Sequence, residues 1–209
     1  QPGRLQQPPE RGGEPRLRGA VEDGVTGEFT VADGLRQAAA RLWRVCGGGC
    51  AEEQIPARRP DLERAIHASG YFRQKARKLK AFLALLDGEF GGRLARMGRE
   101  PTARLRERLL ATWGIGPETA DSILLYAFDR PVFVVDAYTA RVAVRHQLIE
   151  PDADYEQLRD LFQSNLPQEH QLFNEYHALL VRVGKEFCRP TAKCPGCPLE
   201  KLPHTLDIQ

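Results

Sequence analysis

The stretch that decides the fold runs from Leu109 to Asp136 and reads LLATWGIGPETADSILLYAFDRPVFVVD. A Gly-Ile-Gly turn at 114–116 separates two segments with helical patterns. Such a turn points backbone N–H groups outward, so it can hold a phosphate at a helix N-terminus without a cationic side chain. The apolar run at 132–135 then leads directly into a carboxylate, Asp136. This one stretch therefore predicts a clamp for a phosphate backbone and a candidate catalytic acid.

The turn has the residues that such a clamp needs. Gly114 and Gly116 lack Cβ atoms, so phosphate oxygens can approach the N–H groups of the turn. Pro117 suits the first position of the next helix, because the N–H that it lacks would have been unpaired there. Thr119 can add a hydroxyl from the first helical turn. We predict DNA contacts from Gly114, Ile115, Gly116 and Thr119; the alternative is a plain corner between two packed helices.

Several segments resemble the endonuclease III superfamily of helix-hairpin-helix DNA glycosylases, in particular its 3-methyladenine DNA glycosylase III-like branch. Besides the hairpin, they read SGYFRQKA (69–76), VVDAYT (134–139), FNEYHAL (173–179) and GKEFC (184–188). The resemblance covers roughly residues 60–200. It implies an all-α fold with two helical lobes around a DNA-binding cleft and a C-terminal Cys-rich cluster loop. The implied partner is double-stranded DNA containing a damaged base.

Asp136 stands where a helix N-cap is expected, and capping alone would explain a carboxylate there. The functional interpretation is that it stabilises the oxocarbenium-like sugar while the N-glycosidic bond breaks. Bifunctional relatives carry a Lys two residues after the second hairpin glycine, where this chain has Glu118. Because a carboxylate cannot form an imine, the resemblance implies a monofunctional glycosylase without AP-lyase activity. Its expected substrate is an alkylated purine.

The base pocket requires aromatic faces, since a cationic alkylated base stacks well on an electron-rich ring. Tyr138, two residues after Asp136, is the aromatic residue that we predict near the pocket. Lys185 on the last predicted helix is a second candidate, although a solvated lysine is the plainer interpretation. Glu175 and His177 receive no role from the sequence.

Three of the five cysteines, Cys188, Cys194 and Cys197, cluster near the C-terminus. They resemble the cluster loop of the superfamily, in which four thiolates hold a 4Fe–4S cluster. The fourth thiolate is expected near position 203, but Pro203 is there and His204 follows it. Three alternatives stay open: a 4Fe–4S cluster with His204 or an N-terminal cysteine as fourth ligand, a Cys3His zinc site, and a loop without metal.

Composition is typical of a soluble folded protein, with 42% hydrophobic residues, 28% charged residues and a formal net charge of +2. The longest apolar run, at 81–86, is far too short to span a bilayer. We therefore expect a cytoplasmic monomer, nucleoid-associated in a prokaryote, with no membrane partner. Two basic clusters, at 73–80 and 93–108, flank the hairpin and favour a nucleic-acid partner.

Helical periodicity predicts seven helices from residue 60 onward. Their approximate bounds are 60–68, 71–87, 101–112, 117–128, 137–148, 154–164 and 168–187. The predicted organisation has four parts: a disordered leader at 1–29, a helix and loop at 30–59 that match the family poorly, a lobe at 60–136 and a lobe at 137–209. The first lobe contains the hairpin (109–128), and the second contains the cysteine loop (188–204).

Two other functions compete with an alkylpurine glycosylase. One is an oxidised-pyrimidine glycosylase like endonuclease III, which Glu118 disfavours. The other is a non-catalytic DNA-binding module that keeps the hairpin but lacks a complete base pocket, since the first 60 residues do not match the family.

Overall fold

A computed structural model describes residues 62–64, 66–69 and 71–206 of the chain. The predicted leader at 1–29 and the predicted helix and loop at 30–59 lie outside these residues. After a short 3-10 turn at His67–Ser69 come seven helices: α1 (Phe72–Phe90), α2 (Leu94–Met97), α3 (Thr102–Ala111), α4 (Pro117–Phe128), α5 (Ala137–Arg145), α6 (Tyr155–Asn165) and α7 (His170–Glu186). The described residues contain no strand, which confirms the predicted all-α class for this part of the chain.

The helix bounds differ from the predicted ones where a residue adopts left-handed backbone geometry. Helix α1 continues to Phe90 and stops at Gly91, whose φ is 61°. Helix α5 ends at Arg145 rather than at 148, because Gln147 takes a φ of 56°. Helix α2 is a single turn, too short to produce a periodic pattern, and was not predicted. The apolar segment 132–135 is extended but is not part of a sheet.

Two hydrophobic clusters form the core. The first gathers buried residues from α1 to α4 and the hairpin, and the second gathers buried residues from α4 to α7. They meet along α4 and the extended segment: Leu124 and Val132 belong to the first cluster, whereas Leu125 and Phe133 belong to the second. Asp136 follows the segment where the two clusters meet.

A network of ion pairs around the buried Asp121 connects three helices beside this boundary. The Arg106 guanidinium on α3 donates to both oxygens of Asp121 on α4, at 2.6 and 3.1 Å, and to Glu156 on α6 at 2.6 Å. Tyr155 donates its hydroxyl to the same Asp121 at 3.0 Å. Arg108 likewise pairs with Glu89. Arg106 and Arg108 belong to the second basic cluster, so part of that cluster stabilises the fold instead of facing DNA.

Within the described residues, none of the helices combines the length and the apolar character required to cross a membrane.

Candidate active site

Asp136 is held at the N-terminus of α5 by hydrogen bonds to one of its two carboxylate oxygens. Its Oδ1 accepts from the backbone N–H of Thr139 at 2.8 Å and from the Thr139 hydroxyl at 3.0 Å. The preceding backbone is also fixed, since the Phe133 N–H donates to Gln163 Oε1 at 3.1 Å. Asp136 is therefore a true N-cap, and the same contacts fix the direction of its carboxylate.

The surroundings of Asp136 keep it ionised at neutral pH. Burial alone would raise the pKa of this carboxyl, but the neighbouring His177 and the hydrogen bonds from Thr139 outweigh burial and lower the pKa below its usual value. A carboxylate that stays charged in a half-buried position is what stabilisation of a developing positive charge requires.

His177 lies beside Asp136, although no role for it could be predicted from the sequence. Its Nε2 is 3.7 Å from Asp136 Oδ2, and its Nδ1 is hydrogen-bonded to the hydroxyl of Tyr126 on α4. His177 is 7% exposed. One signal was present in the sequence: His177 shares the apolar face of α7 with Phe173 and Leu180, at helical spacing, and a polar residue on such a face requires a partner.

Glu118 occupies the position that a lysine holds in bifunctional relatives, in the first turn of α4. Glu118 is exposed to solvent, yet partial desolvation of its carboxyl and then the negative charge of Asp136 raise its pKa. His177 acts in the opposite direction on the same carboxyl. Glu118, Asp136 and His177 therefore share one electrostatic environment.

The hairpin joins α3 to α4 with the geometry that the Gly-Ile-Gly pattern predicts. Gly114 has a φ of 82°, and Gly116 is the N-cap of α4 with a φ of −93°. The N–H groups of both glycines lack a backbone acceptor among the described residues. Ile115 differs, because its N–H donates to Thr112 O and its side chain is buried. Ile115 thus anchors the turn, while the N–H groups of the two glycines have no hydrogen-bond acceptor in the part of the chain that the structure describes.

A basic surface adjoins the hairpin. The Arg77 guanidinium lies 3.8 Å from the ring centroid of Trp113, whose side chain is 48% exposed. Lys78 packs so closely on Gly114 that a Cβ there would be 2.7 Å from Lys78 Cγ. An open cavity of about 330 Å³ is lined by Arg73, Gln74, Arg77, Lys78, Trp113 and Gly114. Thr119, also predicted to contact DNA, is exposed in the first turn of α4.

Tyr138 and Lys185, the two predicted pocket residues, are brought together where α5 packs on α7. Lys185 Nζ is 5.8 Å from the Tyr138 ring centroid, and Arg141 Cζ is 5.3 Å from it. Gly184 permits this approach, since a Cβ there would be 2.6 Å from Tyr138 Cβ. Two cations therefore already lie near the ring on which a cationic base was expected to stack.

The four predicted metal ligands, Cys188, Cys194, Cys197 and His204, line one small cavity of about 20 Å³, which has room for about one water molecule. Cys188 Sγ accepts a hydrogen bond at 3.2 Å from the buried Arg145 guanidinium, which also donates to Pro190 O at 2.7 Å. The described part of the chain contains no group of three or more His, Cys, Asp or Glu side chains able to hold a metal ion.

As arranged, these residues fit neither a 4Fe–4S cluster nor a Cys3His zinc ion. The two other cysteines, Cys46 and Cys50, lie outside the described residues. In the structure the loop is attached to α5 by direct hydrogen bonds: Arg141 and Arg145 donate to carbonyl oxygens of the loop, and the Thr205 N–H donates to Arg145 O at 2.8 Å.

Known proteins resemble the chain in both sequence and fold. A protein of Methanocaldococcus jannaschii, named as a DNA repair glycosylase, is 41% identical over 143 residues, which cover 68% of this chain and 64% of that protein. An endonuclease III–DNA complex superposes with a TM-score of 0.62 at 25% identity, covering 81% of this chain and 75% of the other. A 3-methyladenine DNA glycosylase from H. pylori, bound to 1,N6-ethenoadenine, gives a TM-score of 0.60 at 24% identity, covering 78% and 80%.

The chain spans 64% of the length of the M. jannaschii relative. The family described as "HhH-GPD superfamily base excision DNA repair protein" matches residues 34–168, and so reaches further toward the N-terminus than the motifs indicated. The matched range includes the hairpin, Glu118 and Asp136. The chain belongs to the HhH-GPD superfamily of base excision DNA repair proteins.

Proposed function

We propose that this protein is a DNA glycosylase that hydrolyses the N-glycosidic bond of a damaged base in double-stranded DNA. The observation that carries the proposal is Asp136, a half-buried carboxylate held ionised and fixed in direction by Thr139, in the same fold as the phosphate-binding hairpin. An ionised carboxylate placed before the reaction begins stabilises the sugar cation at no cost of reorganisation.

DNA binding rests on the hairpin and the basic surface next to it. The N–H groups of Gly114 and Gly116, which have no acceptor within the described residues, suit a phosphate, and Lys78 and Arg77 lie alongside. Contacts of this kind position the duplex without reading its sequence. Anchoring the backbone helps to offset the few kcal/mol needed to extrude a base from the stack.

The reaction that we propose is monofunctional. Asp136 stabilises the oxocarbenium-like sugar and orients water, so the products are the free base and an abasic site. Glu118 cannot attack the sugar as an amine would, and no imine is formed. We propose an alkylated purine as substrate, based on the resemblance to the 3-methyladenine branch, and a monomer acting on DNA in the cytoplasm.

The decisive variant is Asp136→Asn, which keeps the size and the N-cap acceptor but removes the charge. We expect single-turnover release of 3-methyladenine from duplex DNA to fall by at least about 100-fold. DNA affinity should not weaken, because the phosphate contacts come from other residues. Rate and affinity are measured on the same duplex, with and without the lesion.

Thr139→Val serves as a control for the cap. It removes one hydrogen bond to Oδ1 and retains the Asp136 charge, so its rate should lie between those of the parent and of Asp136→Asn. If the Asp136→Asn protein released base at the parental rate, the proposed role of Asp136 would be wrong. If the parent protein bound DNA but released no base, the chain would instead be a DNA-binding module.

A further inference from the structure

The two oxygens of Asp136 have different surroundings. Oδ1 accepts both hydrogen bonds from Thr139, whereas Oδ2 has His177 Nε2 as its neighbour at 3.7 Å. That separation is longer than a hydrogen bond. Catalytic hydrogen bonds are often long before substrate binds and shorten in the complex. Oδ2 therefore lacks the hydrogen bonds that hold Oδ1, and His177 Nε2 is the group that lies beside it.

His177 is held on its other side only. Its Nδ1 is hydrogen-bonded to the Tyr126 hydroxyl, while Nε2 is buried and has no hydrogen-bond partner within the described residues. A buried nitrogen without a hydrogen-bond partner costs free energy, so a partner is expected for it. The nearest carboxylate oxygen in an ion-pair arrangement is Asp136 Oδ2.

Tyr126 is the hydrogen-bond partner of His177 Nδ1, so it bears on which ring nitrogen carries the hydrogen. Burial, and then the negative charge of Asp136, raise the pKa of Tyr126 well above its usual value. The phenol therefore keeps its proton and is able to donate it to Nδ1. A neutral imidazole that accepts at Nδ1 carries its hydrogen on Nε2. That hydrogen faces Asp136 Oδ2.

We propose that His177 is a positioning residue for Asp136: with its tautomer set by Tyr126, it donates from Nε2 to Oδ2 and holds the carboxylate toward the sugar. This inference rests on the proposed glycosylase function. Within the described residues, the charged and titratable groups that face His177 are Asp136, the N-cap of α5, and Glu118 and Tyr126 on α4. Asp136 and Glu118 are the carboxylates of this group, and Asp136 is the one within 4 Å of Nε2.

The test compares the parent protein with His177→Leu, His177→Gln, Tyr126→Phe and Leu180→Ala. Leucine removes the donor, whereas glutamine can place an N–H near the position of Nε2. Phenylalanine at 126 removes the group that sets the tautomer. Leu180 is a buried neighbour on α7 and belongs to the second hydrophobic cluster, so Leu180→Ala perturbs the same helix without touching Asp136. Two quantities are measured: the single-turnover rate of base release against pH, and the titration of Asp136 Cγ by carbon-13 NMR.

We expect His177→Leu to lower the rate about 10- to 100-fold at neutral pH. The acid limb of its pH–rate profile and the midpoint of the Asp136 titration should both move to higher pH, because the carboxylate loses a group that favours its charged form. DNA affinity should not change. Glutamine should recover most of the rate, and Tyr126→Phe should lose less than leucine. Leu180→Ala should lower thermal stability and leave the midpoints of the pH–rate profile and of the Asp136 titration unchanged.

An unchanged rate and an unchanged Asp136 titration in His177→Leu would overturn the inference. If His177→Leu does not fold, the His177→Gln protein decides. The inference would be overturned as well if His177→Gln lost the rate of base release while its pH midpoints matched those of Leu180→Ala. If the parent protein releases no base, the proposed function fails, and the NMR titration still decides whether His177 acts on Asp136.

Discussion

Glu118 and Asp136 are two carboxylates whose surroundings move their pKa values in opposite directions. Partial burial and the charge of Asp136 raise the pKa of Glu118, whereas His177 and Thr139 lower that of Asp136 in spite of burial. Two carboxylates whose pKa values differ in this way can have different roles, because one stays ionised and the other is more readily protonated. At the residue scale, Asp136 is the permanent negative charge of the site.

The position of Glu118 gives a direct test of the monofunctional chemistry. In Glu118→Lys, an amine would stand in the first turn of α4, close enough to interact electrostatically with Asp136. We expect borohydride to trap a covalent adduct between this variant and lesion-containing DNA, because a lysine can form an imine with the sugar. The adduct is detected by denaturing gel electrophoresis.

Glu118→Gln is the matched control and should give no adduct. An adduct formed equally by the parent protein and by both variants would mean that a different amine attacks the sugar, and the assignment of position 118 would be wrong.

Local sequence pattern was sufficient to identify Asp136 as an N-cap, since capping depends on residues three positions away, and its role as catalytic acid stays a prediction. It was insufficient for His177 and Tyr126, which are separated by 51 positions and meet only because α4 packs on α7. The pattern also grouped Arg106 with the cations expected to face DNA, whereas its guanidinium is paired with Asp121 and Glu156.

At the scale of elements, the hairpin is the feature for which sequence and structure agree most closely. The Gly-x-Gly pattern predicted the turn because a φ of 82° at Gly114 is open to glycine and strained for other residues. Helix α2 could not be predicted, because one turn has no periodicity to recognise. The end of α5 could not be predicted either, because Gln147 has no glycine-like preference for its left-handed geometry.

The two hairpin glycines should respond differently to alanine. A Cβ at Gly116 meets no atom within 4 Å, so Gly116→Ala should change the free energy of unfolding by less than about 0.5 kcal/mol. It should nevertheless weaken DNA binding about tenfold, because the methyl group obstructs a phosphate at the free N–H. Chemical denaturation and fluorescence anisotropy measure the two effects.

Gly114→Ala is the contrasting variant. Its left-handed φ and the 2.7 Å approach to Lys78 Cγ should lower the free energy of unfolding by about 1–3 kcal/mol. Parental DNA affinity in a stably folded Gly116→Ala protein would show that the turn does not bind phosphate.

At the scale of the whole molecule, the arrangement of the two hydrophobic clusters explains where the site lies. Helix α4 and segment 132–135 contribute to both clusters, and the chain leaves this shared region at Asp136. The hairpin begins the same helix, so the proposed phosphate clamp and the carboxylate are connected by α4 and the extended segment that follows it. The net charge of +2 did not reveal a nucleic-acid partner, because Arg73, Arg77 and Lys78 gather at one surface while acids neutralise other cations.

The most direct test of the account is base release by the parent protein from duplex DNA containing 3-methyladenine, under single-turnover conditions with borohydride present. We predict release of the free purine, an intact strand carrying an abasic site, and no covalent adduct. A matched duplex that contains an oxidised thymine tests the competing substrate class, the oxidised pyrimidines. Covalent trapping of the parent protein, or release of the oxidised thymine alone, would contradict the proposed monofunctional action of Asp136 on an alkylated purine.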